Sequence, residues 1–220
     1  FGSEVTVIDL AQRLMPREDE EIADRVKAIF EAKGVKFLLE SKIEEIVDKN
    51  GKGYVQILQG ASKIEIESDA ILVAIGRKPN TEGLNLEAAG VKTDEKGAVV
   101  VDETLKTTAD NIWAMGDVKG GLQFTYISLD DFRIIRDNLY NGGNRTVNDR
   151  NVIPYSVFIN PPLSRVGMTE SEAIAKGYEV KIGRLEAMAI PKAKIEGVTD
   201  GLLKAVVDAK TDKILGCTLL

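Results

Sequence analysis

Thr107-Thr108-Ala109-Asp110-Asn111-Ile112-Trp113-Ala114-Met115-Gly116-Asp117 is the stretch whose reading decides the fold. Its apolar part, residues 111–115, has the composition of a buried strand and stops abruptly at a glycine followed by an acid. A strand ending in Gly116-Asp117 sets a carboxylate beside bare backbone at the carboxyl edge of a sheet, where α/β sheets bind ligands. A helix is predicted next, over residues 125–140, opening near Gln123, Phe124, Thr125 and Tyr126. The first-turn amides of a helix lack intrahelical partners and stabilise negative charge on a bound ring or phosphate. Asn141-Gly142-Gly143-Asn144 then begins a linker region, with a boundary near Asn151.

Upstream, Glu4-Val5-Thr6-Val7-Ile8-Asp9 has the β-branched content of a short buried strand ending in an acid. The acidic run Arg17-Glu18-Asp19-Glu20-Glu21 precedes Ile22, Val26, Ile29 and Phe30 at helical spacing, its acids lying where a helix N-terminus favours negative charge. Gly34 ends that helix, and residues 35–39 form the next strand. A strand, a helix and an acid at the strand's end match the second half of a dinucleotide-binding βαβ unit, in which the carboxylate takes hydrogen bonds from ribose hydroxyls. Asp9 occupies that place, and a strand-end Asp closing a turn is the alternative. The companion G-x-G-x-x-G is not in the chain: Gly51-Lys52-Gly53 lies in a hairpin turn.

Residues 43–47, 54–58 and 64–67 are expected to form three antiparallel strands joined by polar turns at Asn50-Gly51-Lys52-Gly53 and Gly60-Ala61-Ser62. Residues 69–75 form a continuous apolar run, expected as a strand buried on both faces and closed by Gly76. In Gly76-Arg77-Lys78-Pro79-Asn80-Thr81, the glycine permits close approach of backbone to a ligand, and an ordinary Pro-Asn turn is the alternative. Short strands are expected at 91–93 and 98–102, then at 156–159, 179–185, 202–208 and 214–219. Thr169-Glu170-Ser171-Glu172 carries the capping box of a helix, with Thr169 as N-cap. Cys217 is expected as a small core residue, and Asp130, Asp131 and residues 192–194 as solvated polar positions.

Composition narrows the chemistry. The 220 residues hold 29 Lys and Arg against 35 Asp and Glu, a formal net charge of −6 with no basic block, which argues against a nucleic-acid or anionic-membrane surface. No apolar run approaches the roughly 20 residues of a membrane span, and a soluble, cytoplasmic protein is expected. One cysteine and no histidine exclude an internal disulfide, a Cys/His zinc site, a Ser-His-Asp triad and an imidazole proton shuttle, so neither catalytic nor metal-ligating residues are assigned. The chain begins at Phe1 without Met and runs quickly into a strand pattern, as an internal fragment would.

These residues together resemble the pyridine nucleotide-disulfide oxidoreductases, the family of dihydrolipoamide dehydrogenase, glutathione reductase and mercuric reductase. Gly2-Ser3-Glu4-Val5-Thr6-Val7-Ile8-Asp9 is similar to the second strand of the family's NAD(P) domain. Ala74-Ile75-Gly76-Arg77-Lys78-Pro79-Asn80-Thr81 is similar to the crossing back to the FAD domain, and the stretch from Thr107 to Asp117 to the second FAD motif. Ser156-Val157-Phe158, Val166-Gly167-Met168-Thr169-Glu170 and Ile214-Leu215-Gly216 resemble the start of the dimerisation domain. Within the family, Phe124-Thr125-Tyr126-Ile127-Ser128-Leu129-Asp130-Asp131 and Pro161-Pro162-Leu163-Ser164-Arg165-Val166-Gly167 most resemble the reactive-chlorine-resistance flavoproteins.

The resemblance implies an α/β fold: partial FAD/NAD(P)-binding Rossmann-like domains plus part of an α+β dimerisation domain. Residues 1–78 would be the C-terminal part of the NAD(P)-binding domain, 79–150 the second FAD-binding segment and 151–220 the N-terminal part of the dimerisation domain. It implies FAD and NAD(P)H as cofactors and a homodimer. Gly116 and Asp117 would serve the FAD ribityl chain, and the amides of Phe124, Thr125 and Tyr126, with Gln123, its pyrimidine edge. Asp9 would bind the ribose of the nicotinamide cofactor, with backbone contacts near Ile43, Gly76 and Arg77, and an acid at position 9 favours NAD. The family's phosphate loops, redox cysteine pair and His-Glu base are absent, and Tyr126 stands where many members have His. The parent is therefore expected to pass hydride from NAD(P)H to FAD and on to a disulfide or other oxidant, with this fragment alone inactive. The alternative is a non-catalytic truncated paralogue acting as a binding or dimerisation module; an unrelated α/β protein would make Gly116-Asp117 and residues 76–81 coincidental turns.

Overall fold

In chain order the computed structural model, which describes residues 2–150 and 152–220, contains β1 (Thr6–Ile8), α1 (Glu20–Ala32), β2 (Lys36–Leu38), β3 (Ser41–Lys49), β4 (Lys52–Gln59), β5 (Ser62–Ser68), α2 (Thr125–Tyr140), β6 (Tyr155–Val157), β7 (Leu163–Gly167), α3 (Glu170–Ala175), β8 (Val180–Glu186), α4 (Pro191–Glu196), β9 (Leu202–Asp208) and β10 (Ile214–Leu219). Asn151, the expected boundary, lies outside the described residues. Contacts group the chain into two units, one built from the chain up to Leu72 together with Val152–Leu220, the other starting at Val73.

In the first unit, β1 and β2 run parallel, with Thr6 beside Lys36 and Ile8 beside Leu38, and α1 makes the crossover between them. The helix forms where its apolar period predicts. Ile22, Ala23, Val26 and Ile29 fall on one buried stripe, and Glu20 and Glu21 sit in the first turn. β3, β4 and β5 follow as an antiparallel meander. Asn50 and Gly51 make the first turn with φ of 59° and 79°, the two-residue type I′ geometry that matches strand twist.

The second part of this unit is a five-stranded antiparallel sheet in the order β6-β7-β10-β9-β8. Its core is continuous with the buried face of α1: Ile22, Val26 and Ile29 pack with Leu163, Leu202 and Leu220. The capping box of α3 forms as expected, Thr169 Oγ accepting the Glu172 amide at 3.2 Å and the Thr169 amide donating to Glu172 Oε2 at 2.8 Å. Gly216 has no substitute, since a Cβ there would lie 1.9 Å from the Met168 carbonyl oxygen.

Charges finish the junction between α1 and the sheet. Lys204, 3% exposed, places Nζ 3.2 Å from Asp19, 2.5 Å from Glu21 and 2.7 Å from Glu170. Burial alone would lower the pKa of its ammonium, but hydrogen bonds to Glu170, Glu21 and Asp19 outweigh burial and raise it. Beside it, Arg165 Nε lies 3.2 Å from Glu18 and donates at 2.7 Å to the Tyr155 hydroxyl, which itself donates to Glu18. Burial and then the Glu18 carboxylate push the Tyr155 phenol up to about 12, so it stays a donor. Arg25–Glu186 at 3.0 Å and Arg184–Glu21 at 2.7 Å complete the rim.

Three expectations are corrected. Residues 69–75 are not a buried strand: the segment is irregular, with Leu72 91% and Ile75 89% exposed. A parallel strand needs a neighbour's hydrogen-bonding edge, and the β1–β2 pair takes in no third strand among the described residues. Residues 111–115 pair only through a single bridge, Trp113 to Lys106, in a region of similar bridges at Thr93–Val99 and Val101–Thr107. Cys217 is half-buried, its Cβ on a strand whose buried positions are Gly216 and Thr218. The short helix α4 had no signal beyond Pro191 at its first turn. No helix among the described residues is long and apolar enough to cross a membrane.

Replacing Lys204 by Met leaves Asp19 buried without its cation. Urea unfolding is expected to show a loss of about 3 kcal/mol, the low end for a broken buried pair because Glu21 and Glu170 reach water. Adding Asp19→Asn should recover part of that loss, and a single variant as stable as the unsubstituted protein would show that the ammonium contributes nothing.

Candidate functional site

The Gly116-Asp117 pair lies in the second unit, on a one-turn 3₁₀ helix, Gly116–Lys119. The preceding segment is held by one neighbour, residues 105–107: the Thr107 amide donates to the Ile112 carbonyl at 2.9 Å and the Ala114 amide to the Leu105 carbonyl at 3.1 Å. Gly116 is buried with φ of 73°, and an added Cβ would stand 2.6 Å from Ser128 Oγ on α2. Only glycine meets both demands. Asp117 follows as the exposed residue of the turn, its carboxylate 3.5 Å from Arg77 Nη1. Both side chains are more than half exposed, so the pair adds little to stability and leaves each group available.

The start of α2 belongs to the same unit. Phe124, its N-cap, is extended and its own side chain makes no cap bond; the first turn carries no acid. Gln123 and Phe124 are half-buried, while Thr125 and Tyr126 are exposed. The Phe124 and Tyr126 rings stack, centroids 5.3 Å apart and planes 11° from parallel, and burial raises the Tyr126 phenol. A helix start without an acid in its first turn keeps the positive end of the helix dipole uncompensated by its own side chains.

The turn is tied to α2 by a residue expected in solvent. Asp131 is fully buried, and its Oδ2 accepts the Gly116 amide at 2.8 Å. Lys119 Nζ lies 3.4 Å from the same oxygen, and Arg150 Nη2 donates to Oδ1. Asp130 is half-buried and takes Arg150 Nε at 2.7 Å and Arg145 Nη2 at 3.2 Å. Burial works against ionisation of Asp130, yet these two guanidinium groups hold its carboxyl below the usual range. The expectation of two solvated acids fails because their cations come from the turn before α2 and from a loop 15 to 20 residues further on, outside any helical spacing pattern.

The other predicted residues divide between the units. Gly76, exposed with φ of 134°, precedes Arg77 in the second unit. In the first, the exposed Asp9 ends β1 and its Oδ1 accepts the Ala11 amide at 2.8 Å, closing a turn. The Asp9 carbonyl accepts the Ser41 amide at 3.0 Å, which sets the start of β3 beside it. Ile43, also exposed, lies two residues into that strand at a register shift opposite Ile57. Ser41, which no sequence pattern singled out, is buried and donates to the Leu39 carbonyl at 3.0 Å.

With this geometry in hand, comparison with known proteins gives the class. The pyridine nucleotide-disulphide oxidoreductase model matches residues 1–131, and the dimerisation-domain model of the same enzymes matches residues 153–220. The chain belongs to the pyridine nucleotide-disulphide oxidoreductase family, FAD-dependent enzymes that use NAD(P)H. It is 49% identical over its whole length to the probable pyridine nucleotide-disulfide oxidoreductase RclA of Escherichia coli and covers 49% of that protein. It is 38% identical to a mercuric reductase of Lysinibacillus sphaericus over 98% of the chain and 39% of that enzyme. The solved structure of the HOCl-induced flavoprotein disulfide reductase RclA from Escherichia coli superposes with a TM-score of 0.93, covering all of this chain and 50% of that one. The chain thus spans about half the length of these relatives, or less.

Gly116→Ala is expected to destabilise the second unit by about 1–2 kcal/mol from the left-handed backbone alone, with a further cost from the approach to Ser128. In urea titrations, adding Ser128→Ala should remove only the second part. Equal stability of Gly116→Ala and the unsubstituted protein would mean that the turn is not held as described.

Proposed function

We propose that the whole protein is an FAD-dependent oxidoreductase that passes hydride from NAD(P)H to FAD and then electrons to a disulfide or another oxidant. The observation that carries this reading is the exposed Asp117 carboxylate on the left-handed Gly116 turn, in one unit with the acid-free first turn of α2. These residues fit a flavin. Asp117 is a charged acceptor for the ribityl hydroxyls, Gly116 leaves the backbone bare, and Gln123, Phe124, Thr125 and Tyr126 bring the positive end of α2 to the pyrimidine edge. When bound, FAD supplies the two-electron carrier between a hydride donor and the final oxidant.

Asp9 would accept hydrogen bonds from the ribose of the nicotinamide cofactor, with a backbone contact near Ile43 of the same unit. A 2′-phosphate would be repelled by the Asp9 carboxylate, so NAD is favoured over NADP. In this reading residues 1–78 are the C-terminal part of the NAD(P)-binding domain, 79–150 the second FAD-binding segment and 151–220 the N-terminal part of the dimerisation domain of a cytoplasmic homodimer. With one cysteine and no histidine, the stretch supplies neither a thiol pair nor an imidazole base, so alone it would not turn over. A second reading, a non-catalytic binding or dimerisation module, is favoured by the apolar side chains exposed on the dimerisation segment, Phe158 at 96% and Ile195 at 85%.

The visible spectrum of the full-length protein is the test. Bound oxidised flavin is expected, with Asp117→Ala weakening FAD binding by about ten-fold or more, the loss of a hydrogen bond to a charged group. The reduction rate should favour NADH over NADPH, and Asp9→Ala should narrow that preference. A colourless full-length dimer would overturn the enzyme reading in favour of the binding module.

A further inference from the structure

We infer that Asp131 is a positioning residue for the candidate flavin site: its buried carboxylate locks the Gly116-Asp117 turn to α2 and so fixes the two halves of that site against each other. This inference rests on the flavin reading above. The turn and the helix are not continuous, since the 3₁₀ turn ends at Lys119 and α2 begins at Thr125. Residues 120–124 between them include Gly120 and Gly121, both at positive φ, and such a connector does not set a fixed angle by itself. Asp131 does so directly. One carboxylate oxygen takes the amide of the residue preceding Asp117, and the carboxylate itself stands in the second turn of the helix whose start would face the flavin.

The surroundings hold that carboxylate in place. Lys119 on the turn and Arg150 on the following loop both reach it, and their side chains are 10% and 12% exposed. Arg150 is shared with Asp130, the neighbouring acid on α2, and Asp130 also binds Arg145. The loop carrying these arginines is itself fixed. The Arg145 amide donates to Asn138 Oδ1 at 2.9 Å and Asn138 Nδ2 donates to the Arg145 carbonyl at 2.8 Å. Thr146 and Asp149 form a capping box on the turn just before Arg150, and the Val147 amide donates to the Glu103 carbonyl at 2.9 Å. A cation on the turn, a cation on the loop and an amide of the turn thus converge on one acid of the helix. Charge-assisted bonds in a desolvated place are the strong and directional kind, so the angle between turn and helix is held rather than averaged.

The experiment compares Asp131→Ala, Asp131→Asn and Ile134→Val in the full-length protein. Ile134 is fully buried on the same helix and has no polar side-chain atom, so Ile134→Val loosens α2 without removing a polar contact of the turn. Asp131→Ala is expected to raise the FAD dissociation constant by about ten-fold or more and to shift the flavin absorption bands, with Asp131→Asn recovering part of both because its carbonyl still accepts the Gly116 amide. Ile134→Val should lower the melting temperature while leaving the FAD dissociation constant within about two-fold, since it changes no polar contact of the turn. Hydrogen exchange supplies a readout without flavin: the Gly116 amide should exchange about ten-fold faster or more in Asp131→Ala and near the unsubstituted rate in Ile134→Val. FAD affinity that falls only in step with melting temperature in all variants, or unchanged exchange at Gly116, would overturn the positioning role. A colourless unsubstituted protein would instead overturn the flavin reading, and this inference with it, whereas flavin retained equally by all variants would overturn the inference alone.

Discussion

One helix is buried by two different parts of the chain, and the first unit depends on it. α1 is the crossover of a parallel β1–β2 pair, a local arrangement of neighbouring residues, yet its apolar stripe is covered by Leu163, Leu202 and Leu220 from more than 130 residues away. A two-stranded parallel sheet with one helix does not bury enough apolar area to fold by itself. The five-stranded sheet supplies the missing cover, so the dinucleotide-type crossover and the dimerisation-type sheet form one cooperative body. Apolar contacts supply the driving force, and Lys204 pairs with three carboxylates, Asp19, Glu21 and Glu170, at the junction that this docking buries.

The second unit uses the same device on a smaller scale. It has no regular sheet among its described residues, only isolated bridges, turns and α2. Its order comes from acids used as anchors: Asp102 takes the amides of Thr104 and Lys106, Asp94 those of Lys96 and Ala98, and Asp131 that of Gly116. Carboxylates that satisfy backbone donors replace the ladder bonds a sheet would provide, and the candidate site sits where the most deeply buried of these anchors lies.

How much of this the amino-acid order reveals depends on how local the cause is. The stripe of Ile22, Val26 and Ile29, the Asn50-Gly51 hairpin and the Thr169–Glu172 capping box were all legible because each cause lies within a few residues of its effect. Gly116 was legible as a bare backbone position, though the Ser128 hydroxyl that forbids a side chain there was not. Residues 69–75 misled because apolar, β-branched composition is only half of a strand, the other half being a neighbour's open edge. Asp131 misled in the opposite direction. Two adjacent acids on a helix surface have the pattern of a solvated face, and only the fold brings Lys119, Arg150 and a glycine amide around one of them.

The exposed run from Ile71 to Ile75 carries its own consequence for the molecule. It combines β-branched side chains with little charge, the composition of a strand interior without a strand's cover. The stretch that reads most like interior is therefore the one whose exposure to water costs the chain most per residue.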